Sequence, residues 1–264
     1  MANNLKKSIF LGTHLKITRA NQHRNELIKV LEAYGSRLTT TWVEVENDPD
    51  NLQLTFSEPA PPEIPLIIGD TVHNLRSALD LLVNEVAQSR GANIDTARLQ
   101  FPYAKTEADY LKKITTNFSS FGQDLQNALL NLRVFEGGDK FLSGLHNLDI
   151  CDKHRYVMPL MSCSWGKSAN DIFQESLARQ GVRVAFISWG DNNIFAKPSL
   201  NVEGEILSKA LMGENELVPY RANRATTALF ADGMPFARQH VLDVLDKLTV
   251  ATITVVDGFS NRFA

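Results

Sequence analysis

Between residues 69 and 89 the apolar side chains recur at helical spacing. On a wheel that advances about 100° per residue, Val72, Leu75, Leu79, Leu82, Val83 and Val86 gather around one direction. A helix with one such stripe must bury it against partners. The same chain offers further helical segments at about 14–35, 106–117, 121–133 and 139–153, and a long C-terminal one at about 236–256. The last opens at 232-DGMPF-236, where Asp232 and Pro235 suit a helix start. Elsewhere the period changes to two. The runs 39-TTTWVEVEN-47 and 51-NLQLTFSE-58 alternate polar and apolar around 48-DPD-50 and predict a β-hairpin. Runs at 155–165, 182–189, 201–207 and 225–231 suit strands separated by turn residues. Helices and strands therefore fall in separate blocks. The expected class is α+β: a helical bundle of about four helices packed with one antiparallel sheet, plus the long C-terminal helix.

Four prolines in 58-EPAPPEIP-65 break the chain, forbidding helix and predicting a stiff strap before a helix at about 69–89. FPYA at 101–104 reads as a fixed turn, and Gly137-Gly138 separates two helices. The strap is too short to free one domain from another. One domain over 1–264 is expected, with a seam near 155 between a mainly helical and a strand-rich part. The length of 264 residues is ample for a hydrophobic core. A net charge of −3 supplies no general basic field, so binding of nucleic acid would need a local patch. No stretch approaches the roughly 20 apolar residues of a membrane span, and the N-terminal apolar patch is too short for a signal segment. Cys151 and Cys163 match no zinc spacing. These features predict a cytoplasmic protein that uses neither membrane nor cofactor.

The face of the 69–89 helix opposite its apolar stripe carries His73, Ser77, Asp80 and Asn84, with Arg76 at its border. Ser, Asn, Asp and His are mediocre helix formers, because their short polar side chains compete with the backbone. A face that had only to be wet would be better served by Lys, Glu or Gln. The choice implies partners for these side chains. A second run, 145-LHNLDICDKHR-155, places Asp149 and Asp152 on the same side as Leu142, Leu145 and Leu148. A carboxylate on an apolar stripe needs a cation or several hydrogen bonds. Lys153, His154 and Arg155 turn to other faces or lie at the helix end, so the cation is expected from the first helix, as Arg76 or His73. The two runs are thus expected to meet across the bundle, with Arg76 beside Asp152.

The motifs GDxxHNLRSALD, Gly69 to Asp80, and LHxLDxxDKHR, Leu145 to Arg155, resemble a family of uncharacterised bacterial and phage proteins of similar length. More distantly, R-x4-H on a helix resembles the hallmark of HEPN domains, helical bundles that often cleave RNA without a metal across a homodimer interface. That resemblance implies an intact or degenerate ribonuclease or RNA-binding protein. The catalytic candidates are His73, Arg76, Asp80, Asp152, Lys153 and His154, with Asn74, Asn147 and Arg155 as substrate contacts. In that chemistry an imidazole takes the proton of the 2′-hydroxyl and an arginine holds the phosphate. The sequence departs from the HEPN pattern at Leu81, which stands where the histidine belongs.

Two other classes compete. In one, the motifs form a buried polar network of a non-enzymatic binding or scaffold protein, and Trp165, Trp189 and Phe195 of the strand-rich part make the contacts. In the other, His73, Asp80, Asp149, Asp152, His146 and His154 hold a divalent cation, an arrangement that Arg76 and Lys153 oppose.

Overall fold

A computed structural model describes residues 9–91, 99–154, 159–164, 201–202, 206–208, 220–221 and 225–263. The described chain is mostly helical and mixed α+β. Its six α-helices are α1 (Leu11–Arg37), α2 (Glu63–Ser89), α3 (Glu107–Asn117), α4 (Gln123–Leu132), α5 (Lys140–His154) and α6 (Val241–Phe263). The strands are β1 (Thr39–Val45), β2 (Asp48–Phe56), β3 (Pro159–Ser164), β4 (Asn201–Val202), β5 (Ile206–Ser208), β6 (Tyr220–Arg221) and β7 (Ala225–Phe230). No helix of the described residues is long and apolar enough to cross a membrane.

The chain divides into two compact units. One comprises Met1–Leu27, Pro65–Met158 and Asp232–Ala264, and the other Ile28–Ile64 and Pro159–Ala231. Among its described residues the strand-bearing unit holds two antiparallel sheets where one was expected, in the orders β5-β2-β1-β6 and β4-β3-β7. The run 201–207 is split between them, because β4 pairs with β3 while β5 pairs with β2. The hairpin turns two residues earlier than the DPD signal suggests. Val45 pairs with Asp48, leaving Glu46 and Asn47 as a two-residue loop. Asn47 takes a φ of 65°, the left-handed conformation that such a loop requires and that asparagine tolerates. Asp48–Asp50 therefore opens β2. The expected strand at 182–189 and the three aromatic candidates Trp165, Trp189 and Phe195 lie outside the described residues.

In the helical unit the α2 stripe behaves as its spacing demands. Val72, Leu75, Leu79, Leu82, Val83 and Val86 are all buried. Helix α2 starts at Glu63, six residues earlier than expected. Pro65 then occupies its first turn, where a missing N–H costs no hydrogen bond. Helix α6 instead starts later than 236. Asp232 accepts a 2.8 Å hydrogen bond from Arg238 Nε, and Phe236 and Arg238 both take a φ of 61°. Asp232 thus holds a loop in place of capping a helix. That loop seats Phe236 on Gly144 of α5, so close that a Cβ there would lie 2.3 Å from the ring. The β-branched end of α6 stays helical because Thr252, Val255 and Val256 are buried, with the Thr252 hydroxyl donating to Leu248 O at 2.9 Å.

Candidate functional site

Helices α2 and α5 meet along a three-rung ladder. Gly69 faces Asp152, His73 faces Asp149, and Arg76 faces His146. Residue numbers rise along α2 as they fall along α5, so the helices run antiparallel, and each rung is about one turn from the next. Gly69 permits the closest approach. A Cβ at that position would lie 2.0 Å from Asp152 Oδ1, so the carboxylate occupies the space that any other residue would fill.

The middle rung is ionic. Asp149 is buried, and its two oxygens are divided between His73 Nδ1 at 3.0 Å and Lys153 Nζ at 2.6 Å. Lys153 lies four residues on from Asp149, so an intrahelical pair supplies the cation that the wheel sought across the bundle. A carboxylate accepts only, so Nδ1 carries the proton in the neutral ring and Nε2 presents its lone pair. Ser77 Oγ stands 3.4 Å from that Nε2. The imidazole is held from behind by a buried carboxylate, and its side chain is 47% exposed. Asp152 is not bonded to Arg76. It lies near Asp149 and Asp70, and burial followed by those two charges holds its carboxyl above the ordinary range.

The third rung is almost closed to solvent. Arg76 is only 6% exposed. Its Nε donates to His146 Nδ1 at 3.4 Å and its Nη2 to the carbonyl of Phe101 at 2.8 Å. Nη1 lies 2.8 Å from Asp80 Oδ1, off the hydrogen-bonding direction, and is buried without a hydrogen-bond partner. Asp80 Oδ1 in turn accepts from the backbone N–H of Phe101 at 2.7 Å, and Asn84 donates to Leu99 O at 2.7 Å. The polar stripe of α2 thus reads a stretch of backbone. Among the described residues no strand lies beside 99–101, and these contacts pair backbone groups that a strand would otherwise serve. This is why short polar side chains replace better helix formers here. Burial raises the Asp80 carboxyl, with the Arg76 guanidinium pulling the other way.

Burial, then the Arg76 charge, pushes the His146 imidazole down to about 4 from 6.5. With Nδ1 accepting from Arg76, the ring proton sits on Nε2. As pH falls from 6.5 towards 4 the unfolded chain binds this proton and the folded chain resists it. The stability held above 6.5 is therefore lost across that window. Asp80 and Asp152, raised in the fold, contribute with the opposite sign. We expect His146→Gln to flatten the fall in denaturation free energy between pH 6.5 and 4.5; an unchanged slope would contradict a neutral, buried His146.

Among the other candidates, Asn74 turns away to α1 and accepts from Lys16 Nζ at 3.3 Å. Asn147 bonds Tyr103, whose ring stacks on His146 at 3.9 Å. His154 ends α5, and its side chain and Arg155 are outside the described residues. His146, a motif position weighed only as a metal ligand, and the 99–103 segment, expected only as a fixed turn at 101–104, are the parts of the site whose role the sequence did not assign. The i−3 spacing of His146 from Asp149 was the available signal. Among the described residues no group of three or more His, Cys, Asp or Glu side chains is placed to hold a metal ion. No protein-family model, curated protein or solved structure matches the chain.

Proposed function

We propose that the HNLRSALD and DKHR motifs form a structural polar network of a non-enzymatic binding protein. The observation that carries this is the arginine. Arg76, which a phosphate-handling site would present to its substrate, is buried and engaged by His146, Phe101 and Asp80. A residue so enclosed joins α2, α5 and the 99–101 segment. The charges around His73 point the same way: Asp70, Asp149 and Asp152 outnumber Lys153, a poor setting for a polyanion.

A second reading rests on His73. An exposed imidazole, oriented through Nδ1 by a buried carboxylate, is the geometry of a general base. With the HEPN resemblance it implies metal-independent RNA cleavage, His73 taking the 2′-hydroxyl proton. One experiment separates the two. Single-stranded RNA is incubated with wild type and His73→Ala in EDTA, with melting followed in parallel. The network reading expects no cleavage above buffer. Cleavage by wild type that His73→Ala abolishes without loss of fold would overturn it in favour of catalysis.

A further inference from the structure

We propose that the cavity beside the third rung, enclosing about 360 Å³, binds a small organic anion carried on a planar ring, of about the size of a nucleoside monophosphate. The inference goes beyond the network reading and rests on it only in taking Arg76 as fixed. The cavity wall includes Arg76, Phe101, Tyr103, Lys113, Asn117 and His146, and among the described residues no carboxylate lines it. Arg76 is paired with Asp80 behind the wall, which leaves Lys113 as the cation facing the cavity beside the N–H donors of His146 and Asn117.

Two donors of the wall retain capacity, while Arg76 Nη1, buried 2.8 Å from Asp80 Oδ1, is already paired in charge and serves as a fixed part of the wall. Lys113 Nζ donates once, to Tyr103 O at 2.7 Å, and has two further N–H groups. His146 accepts at Nδ1, so Nε2–H is a donor, and no partner for it occurs among the described residues. Burial, then the Arg76 charge, keeps this ring neutral, and the Arg76 N–H at Nδ1 fixes the tautomer. The stacked Tyr103 and His146 rings, 25° from parallel, form a flat wall suited to a second planar group. The volume lies at the small end of the usual range for ligand sites, roughly 300–1,000 Å³. A polymer is too large for it, and an inorganic ion would leave the ring wall unused.

The test is calorimetric titration of the full chain with AMP, benzoate and adenosine, at pH 7 and low salt. We expect AMP or benzoate to bind with Kd below about 1 mM, adenosine at least tenfold more weakly, and Lys113→Gln to weaken the anion by about tenfold, the loss of one charge-assisted contact. Lys113 is exposed, so its variant should melt like wild type. Asn117→Ala, also at an exposed position, provides a second, independent variant and should weaken binding severalfold. Failure of both anions to bind, equal binding of adenosine, or indifference to both substitutions would each overturn the proposal. These results are distinguishable from a failure of the network reading, which is tested by RNA cleavage and by the stability of the Arg76 variants.

Discussion

Replacing Arg76 with methionine should lower the unfolding free energy by about 3 to 5 kcal/mol, the cost of breaking a buried ionic arrangement from one side. Methionine retains most of the volume, so the loss is chiefly polar. Three groups are affected at once. The Phe101 carbonyl loses its 2.8 Å donor, Asp80 loses its cation, and His146 Nδ1 loses the N–H that it accepts. Asp80 suffers most, because burial already raises its carboxyl even with the guanidinium present. In Arg76→Met it should rise further, so the destabilisation should grow as pH increases through the folded-state value and shrink in acid. Arg76→Lys should recover little, since one ammonium cannot serve the divergent directions that a guanidinium spans. Arg76→Met/Asp80→Leu should regain part of the loss but leave both polar groups of Phe101 unpaired. Urea denaturation of the four proteins measures this, and a loss under about 1 kcal/mol in the first variant would refute the keystone role.

Asp149→Ala is the second large effect, at about 2 to 4 kcal/mol, and should fall below that of Arg76→Met. The difference lies in what is left behind. Removing Asp149 strands no buried charge, because the side chains of His73 and Lys153 are 47% and 51% exposed and can return to water. The loss comes from two charge-assisted contacts and the space vacated on the apolar side of α5. Asp149→Asn separates these contributions by keeping shape while removing charge. It should retain the packing share and lose the ionic one. In a double-mutant cycle His73→Ala and Asp149→Ala should couple, whereas Arg76→Met and Asp152→Ala should add. Additivity in the first pair would show that the 3.0 Å contact carries no energy.

Much of the architecture was legible in periodicity. The spacing of Val72 to Val86 identified the buried side of α2, and the side of α5 bearing Asp149 followed from the same geometry. Mixed α+β structure followed from the change of period between blocks. Boundaries were less legible where proline and aspartate have two uses. Pro65 reads as a breaker but sits in a first turn, and Asp232 reads as a cap but pairs with Arg238. The split of 201–207 between two sheets depends on which strands arrive alongside, which no local pattern encodes.

Of the site, the sequence by itself determined that the polar side chains of α2 need partners and that Asp149 needs a cation. Both conclusions rest on local chemistry: the poor helix propensity of short polar residues, and the cost of a carboxylate on an apolar stripe. Only the tertiary structure decided who the partners are. A side chain's spacing gives its direction but not what stands in its path. Arg76 therefore turned from Asp152 to His146 and a carbonyl of the 99–101 segment, keeping the Asp80 partner that its i,i+4 spacing already allowed, while Lys153 took the carboxylate of Asp149. The same packing left one guanidinium nitrogen without a hydrogen-bond partner beside a cavity, and nothing in the linear order of residues marks that place.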